Sequence, residues 1–285
     1  MRRREAIALL LAAWRASAAA LGAYFEKASG AAVLLDIGGR KVIGLHNPEL
    51  AAQSLAPPGS TLKPLVLAAL LARGAMGAEE SFPCTGRLTI AGHALDCSHP
   101  RLAAPVRPRT ALAYSCNSFV AHMATRFAPG DLARELERCG LRSPSGLISQ
   151  TEANGRIRDA NTPDAVKLQA LGEQGVEITP AELAVAYRQL ALQLGETNLR
   201  PILEGLEDAV EYGTAQRARI MGVKVAGKTG STRTAAGKPL AWFAGFAPSR
   251  APEVVVAVQL QGYSGGSDAA PVAGRILEAW HAGKL

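Results

Sequence analysis

The chain has 285 residues, enough for one large domain or two closely joined ones, so it can bury a substantial core without metal or disulfide help. Hydrophobic residues make up 48% and charged residues 19%, with no long charged run, which excludes a disordered or low-complexity chain. The formal net charge is +7, but no Lys/Arg stripe is interleaved with aromatics, and this sets nucleic acid aside as a partner.

The N-terminus, MRRREAIALLLAAWRASAAA, carries three arginines, an apolar stretch over 6–14, and Ala16, Ser17 and Ala18 in an A-x-A pattern. This predicts an export signal over residues 1–18, of twin-arginine style. The competing reading is an ordinary amphipathic first helix, because Arg15 shortens the apolar run; that run is also short for a membrane span. Residues 1–18 hold four arginines and one glutamate, and without them 27 basic residues face 23 acidic ones, a net +4. The remaining basicity suits an envelope surface or a carboxylate-bearing substrate.

Residues 31–46 form two apolar runs split by Gly38 and Gly39, a hairpin by turn chemistry. PPGSTLKP follows. Pro57, Pro58 and Gly59 disfavour helix before Ser60, and TLKPLVLAALLA carries a helix over about 62–71. Pro64 costs little in a first turn. Residues at i and i+3 share a helix face, so Lys63 is expected within hydrogen-bond reach of the Ser60 hydroxyl. A serine needs a base to become a nucleophile, and a lysine serves as base only when burial or nearby positive charge lowers its pKa. The amides of a helix N-terminus would favour an oxyanion there. Alone the spacing is weak: 15 serines and 8 lysines give a chance S-x-x-K about 0.4 times, and Ser60 could be a helix cap.

Four cysteines follow: Cys84, Cys97, Cys116 and Cys139. The alternating stretch 88–95, with Ala91 and Gly92 as a turn, brings Cys84 and Cys97 together, and an exported chain favours a Cys84–Cys97 disulfide. A zinc site of Cys84, His93, Cys97 and His99 competes but lacks C-x-x-C knuckles; free buried thiols are the plain reading of Cys116 and Cys139. No metal and no cofactor is expected.

Helical patterns continue over 115–126, 132–139 and 179–194, the last opened by Thr179, Pro180 and Glu182. Strand-like runs return at 222–231, 238–248 and 253–262, and a helix is expected over 269–280. The chain ends should therefore share one sheet, with a helical insertion between them. YSCNSF places Ser115 and Asn117 at a helix start. AGKTGS places Lys228 and Thr229 on a strand, followed by Gly230, where a substrate backbone could approach. A cap, a surface amide and an exposed strand cation are the plain readings of these groups, yet all three patterns in this order arise by chance in fewer than about one in a thousand such chains.

S-x-x-K, S-x-N and K-T-G together resemble the signature of penicillin-binding proteins and serine β-lactamases. The flanks PPGSTLKP, AGKTGS and AWFAGFAP are similar to the class B transpeptidase type. The resemblance covers roughly 31–285, strongly at the motifs and vaguely over 140–220. It implies an α+β fold: a five-stranded antiparallel sheet flanked by helices plus an all-helical lobe, inserted roughly over 61–220 of a catalytic domain spanning 19–285. It implies that Ser60 is acylated by a D-Ala-D-Ala peptide or a β-lactam and that Lys63 takes its proton. Ser115 would relay the proton to the leaving group, and Asn117 would bind the substrate amide and help hold Lys63. Lys228 and Thr229 would bind the substrate carboxylate beside Gly230, and the amides of Ser60 and Ser231 would form the oxyanion hole. Peptidoglycan stem peptides, β-lactams and cell-wall synthesis proteins are the implied partners, outside the cytoplasmic membrane. No E-x-x-x-N water-activating motif stands in 140–220, Glu152 and Asn154 being too close together. That favours a D,D-transpeptidase or carboxypeptidase over a class D-like β-lactamase; a β-lactam or muropeptide sensor is the alternative from a different class, which intact motifs do not oppose.

Overall fold

The computed structural model describes residues 21–285; the expected export signal over 1–18 lies outside them. Strand β1 (Gly30–Asp36) pairs antiparallel with β2 (Lys41–His46), as the Gly38–Gly39 turn predicts. Helix α1 (Pro48–Gln53) leads to a 3₁₀ turn, Gly59–Leu62, and then to α2 (Lys63–Ala72). A short hairpin of β3 (Thr89–Ile90) and β4 (His93–Ala94) turns at Ala91 and Gly92, both with positive φ, as a two-residue hairpin turn requires. Helices α3 (Pro108–Ala113), α4 (Asn117–Ala124) and α5 (Asp131–Arg138) follow. Next come β5 (Arg156–Ile157), α6 (Pro163–Ala170), β6 (Val176–Glu177), α7 (Pro180–Gln193) and α8 (Arg200–Glu211). The chain closes with β7 (Ala226–Arg233), β8 (Pro239–Ala247), β9 (Val254–Gln261) and α9 (Ala270–His281).

Five strands make one sheet in the order β2-β1-β9-β8-β7, every pairing antiparallel. The central strand β9 is buried over VVVAVQL because both faces of the sheet are covered, which is why its first five residues read as a continuous apolar run. Alternate residues serve alternate faces. Val33, Leu35, Trp242, Phe246 and Ala257 pack with the helices between the two strand groups, α7 among them. Ala32, Leu34, Phe243, Val256 and Val258 pack with Leu21, Phe25 and the C-terminal helix residues Ile276 and Leu277. Among the described residues no helix is long and apolar enough to cross a membrane.

Helix α7 starts where its signals place it. Thr179 Oγ1 accepts from the Glu182 amide at 3.1 Å, and Glu182 Oε2 accepts from the Thr179 amide at 2.9 Å, a reciprocal cap. The sequence reading passed over α8, whose Gly205 breaks the helical pattern. There a Cβ would lie 2.8 Å from Arg109 O and from Leu112 Cβ, so glycine is what lets α8 lie against α3.

Candidate active site

Helix α2 is apolar on nearly every side, and Lys63 is its one charged side chain. Lys63 and Lys228 are both fully buried. Burial pushes the Lys63 amine down to about 8, with the charges of Cys116, Cys97 and Glu173 pulling the other way. Lys228 is driven well below the ordinary lysine range, by burial first and then by the charge of Lys63.

The expected Ser60–Lys63 hydrogen bond does not form. Lys63 Nζ donates instead to the Ser115 carbonyl at 2.8 Å, to Ser115 Oγ at 3.2 Å and to Asn117 Oδ1. Those three acceptors use all three protons of an ammonium, so loss of one proton frees one of them. Ser60 Oγ makes no hydrogen bond among the described residues and faces the cleft. Its turn is fixed from behind: Thr61 Oγ1 donates to Pro58 O at 2.8 Å, and the buried Tyr187 hydroxyl donates to Thr61 O at 2.7 Å.

The expected helix over 115–126 begins two residues later. Ser115 has φ +58°, a left-handed conformation that costs a non-glycine residue roughly 1–2 kcal/mol and therefore ends regular structure. That twist aims Ser115 Oγ between the two amines, 3.2 Å from Lys63 Nζ and 2.9 Å from Lys228 Nζ. Asn117 opens α4 and is held by its Nδ2, which donates to Leu95 O at 2.9 Å and to Asp96 O at 3.4 Å.

On the edge strand β7, Lys228 is paired in register with Ala244 and turns to the helical side, donating to Ser115 Oγ and, at 3.1 Å, to Thr229 O. It is neither an exposed cation nor part of the cleft wall. Thr229 and Ser231 do line the wall, with Thr214, whose hydroxyl accepts from Thr229 Oγ1 at 3.0 Å. The reading of Gly230 changes as well. A Cβ there would lie 2.5 Å from Pro58 O and 3.1 Å from Thr61 Cγ2, so the space is filled by the serine turn and not left for a substrate backbone.

The cleft measures about 330 Å³ and is lined by Ser60, Ser115, Asn117, Thr229, Ser231 and also Glu173. Sequence reading missed Glu173. Burial raises its pKa against the pull of Lys63 and then His93, and its carboxylate has no hydrogen bond among the described residues. It is brought in by Gly172 (φ +72°), whose carbonyl accepts from the Gly59 amide at 3.0 Å and whose Cβ would strike Gly59 O at 2.2 Å. A larger hollow of about 540 Å³ continues past Glu173 along Arg156, Arg158 and Asp164, without a serine or cysteine in its wall. Glu152 is elsewhere and folds its own loop, accepting from the amides of Gly146, Leu147, Ile148 and Ser149 and from Ser145 Oγ.

A free serine hydroxyl in front of a buried helix, two buried amines sharing one hydroxyl, and an antiparallel sheet joined to a helical lobe define the penicillin-recognising class of serine acyl-transfer proteins. Residues 30–278 match the penicillin binding protein transpeptidase domain, and the chain belongs to that family. It is 26% identical to peptidoglycan D,D-transpeptidase PbpA of Mycobacterium tuberculosis over 84% of this chain and 61% of that protein. It is 28% identical to the probable peptidoglycan D,D-transpeptidase PbpC of Pseudomonas aeruginosa over 89% and 54%. The chain thus spans little more than half the length of these curated relatives. The apo transpeptidase domain of Burkholderia pseudomallei penicillin-binding protein 3 shares the fold, with a TM-score of 0.81 at 21% identity, over 96% of this chain and 93% of that one.

Proposed function

We propose that this chain is a serine D,D-transpeptidase or carboxypeptidase acting on the D-Ala-D-Ala ends of peptidoglycan stem peptides, and that β-lactams acylate the same serine. The observation that carries the reading is the placement of Ser115 Oγ between the Lys63 and Lys228 amines beside the unbonded Ser60 hydroxyl. Ser60 Oγ attacks the penultimate D-Ala carbonyl and gives its proton to the free amine of Lys63; Ser115 passes a proton on to the departing D-Ala nitrogen. A hydroxyl bonded to two amines can donate to the leaving group while it is resupplied from behind. Lys228 acts through Ser115, and the substrate carboxylate meets the hydroxyls of Thr229, Ser231 and Thr214. The amides of Ser60 and Ser231 serve as the oxyanion hole; a Cβ on Gly59 would lie 3.5 Å from Ser231 N, so the two backbones are neighbours. Glu173, the one carboxylate among the described residues of the cleft wall, would act on an acceptor amine or water that approaches the acyl-enzyme. The domain division, a catalytic unit over 19–285 with its helical lobe over about 61–220, belongs to the same reading, as do export and contact with cell-wall synthesis proteins.

Incubation with a fluorescent penicillin and with a D-Ala-D-Ala peptide tests it. The expected result is a stable label that is lost in Ser60→Ala, together with release of D-Ala from the peptide. A label that survives Ser60→Ala would falsify the assignment.

A further inference from the structure

Behind the S-x-N motif the fold gathers a second constellation. Cys84, Cys97, His99 and Cys116 each point one ligand atom at a common centre, and those atoms all lie within 4.8 Å of one another. Cys84 Sγ is 3.6 Å from Cys97 Sγ and 3.7 Å from His99 Nε2, and Cys97 Sγ is 3.8 Å from Cys116 Sγ. All four cysteines are free thiols, so the Cys84–Cys97 disulfide favoured by the sequence is not formed. His93, a ligand in the competing zinc reading, faces away and meets Gln174 Nε2 at 2.9 Å. Cys116, the middle residue of the motif, takes its place.

We propose that Cys84, Cys97, His99 and Cys116 form a tetrahedral zinc site that ties the segment after the β3–β4 hairpin to the S-x-N motif. Three features of the geometry support a metal over a sulfur–sulfur bond. With Zn–S near 2.3 Å, the edges of a ZnS₃N tetrahedron run to roughly 3.8 Å. Three of the six separations here are 3.6, 3.7 and 3.8 Å and the rest stay within 4.8 Å, close enough for a metal to draw in, whereas a disulfide would employ two of the four groups and leave the others converging on nothing. His99 is set in the ligating tautomer: its Nδ1 lies 2.8 Å from Pro100 O, which only accepts, so Nδ1 carries the proton and the Nε2 lone pair faces the sulfurs. Two of the sulfurs also accept backbone N–H bonds, Cys84 from Gly86 at 3.4 Å and Cys116 from Phe119 at 3.5 Å, as metal thiolates do to spread their charge.

The link to the cleft is covalent and short. Cys116 lies between Ser115 and Asn117, and Cys97 follows Leu95 and Asp96, whose carbonyls hold the Asn117 amide. One zinc would thus fix both the motif and the backbone that orients it, closing a loop between residues 84 and 116. The metal is a structural one, because all four positions come from protein and none is left open to substrate. Loading converts thiols to thiolates and releases their protons to buffer.

The test uses the full chain, purified reduced and without chelator, with zinc counted by mass spectrometry after gel filtration and affinity read by competition with a chromophoric chelator. One zinc per chain is expected in the wild type and in Cys139→Ser, whose cysteine lies outside the cluster, and none in Cys84→Ser. His99→Ala should bind zinc about a hundredfold more weakly, and His99→Cys should recover most of that loss, since a thiolate can take the same corner. The His99 pair decides the matter if Cys84→Ser does not fold. Cobalt added to the metal-free wild type should give thiolate charge-transfer and intense tetrahedral visible bands. The proposal is overturned if the reduced wild type binds no zinc, if Cys139→Ser loses as much metal as Cys84→Ser, if His99→Ala binds zinc as the wild type does, or if peptide mapping of protein recovered from its native compartment shows a Cys84–Cys97 disulfide. None of these readouts depends on transpeptidase activity.

Discussion

The burial of Lys63 makes the pH dependence of acylation a direct test of its role as base. With its amine near pKa 8, about a tenth of the molecules carry the free base at pH 7 and about nine tenths at pH 9. Acylation of Ser60 by a chromogenic β-lactam, followed by stopped flow with the uncatalysed hydrolysis subtracted, should therefore climb about tenfold between pH 7 and 9 and then level off. Glu173→Gln sharpens the test. The carboxylate is one of the charges that raises the Lys63 pKa, so the neutral amide should move the midpoint of the profile downward. At pH 7 the gain cannot exceed about tenfold, because a tenth of the amine is already free. Lys63→Met should abolish acylation at every pH while the protein stays folded, since a buried ammonium is replaced by an apolar group of similar length. A flat profile in the wild type, or a midpoint that moves upward in Glu173→Gln, would refute Lys63 as the base.

Two other substitutions probe how the cleft is held. Gly230→Ala drives a methyl group against Pro58 O and Thr61; thermal denaturation should show a loss of about 1–3 kcal/mol, with slower acylation because the Ser60 turn must retreat. Glu152→Gln removes the charge that organises 145–149, and should cost about 1.5–3 kcal/mol and open that loop to limited proteolysis. Burial acts to raise the Glu152 pKa, but its hydrogen bonds prevail and hold it below the ordinary carboxylate value. Its contribution is therefore present above that value and lost as pH falls through the lowered one; a loop equally protected in Glu152→Gln at pH 7 would contradict this.

The sheet was legible because strand pattern and turn chemistry are local. Gly38–Gly39, Ala91–Gly92 and the runs of β8 and β9 lie where the sequence puts them, within one or two residues. The strand expected at 222–231 instead runs 226–233, so the K-T-G triplet stands near its start. The three motifs of the candidate site were legible because each is short. What joins them was not: no spacing rule places Glu173 beside Ser60, since that contact depends on a backbone bond between Gly59 and Gly172, 113 residues apart. The cysteines show the same limit. Cys84, Cys97 and His99 were visible together because they flank or follow one hairpin, whereas Cys116 caps the start of α4 and takes the place of His93 in the expected ligand set. Lys228 was read as facing substrate because strand alternation does not say which face a neighbouring lobe will cover.

The bond between Gly59 and Gly172 gives the slot one wall that cannot easily yield. On the Glu173 side, main chain rests directly on main chain, and no side chain intervenes that could shorten or rotate to admit a wider guest. That wall should therefore act as a fixed ruler against which substrates are measured, and a side chain added at Gly172 would have to push the two main chains apart.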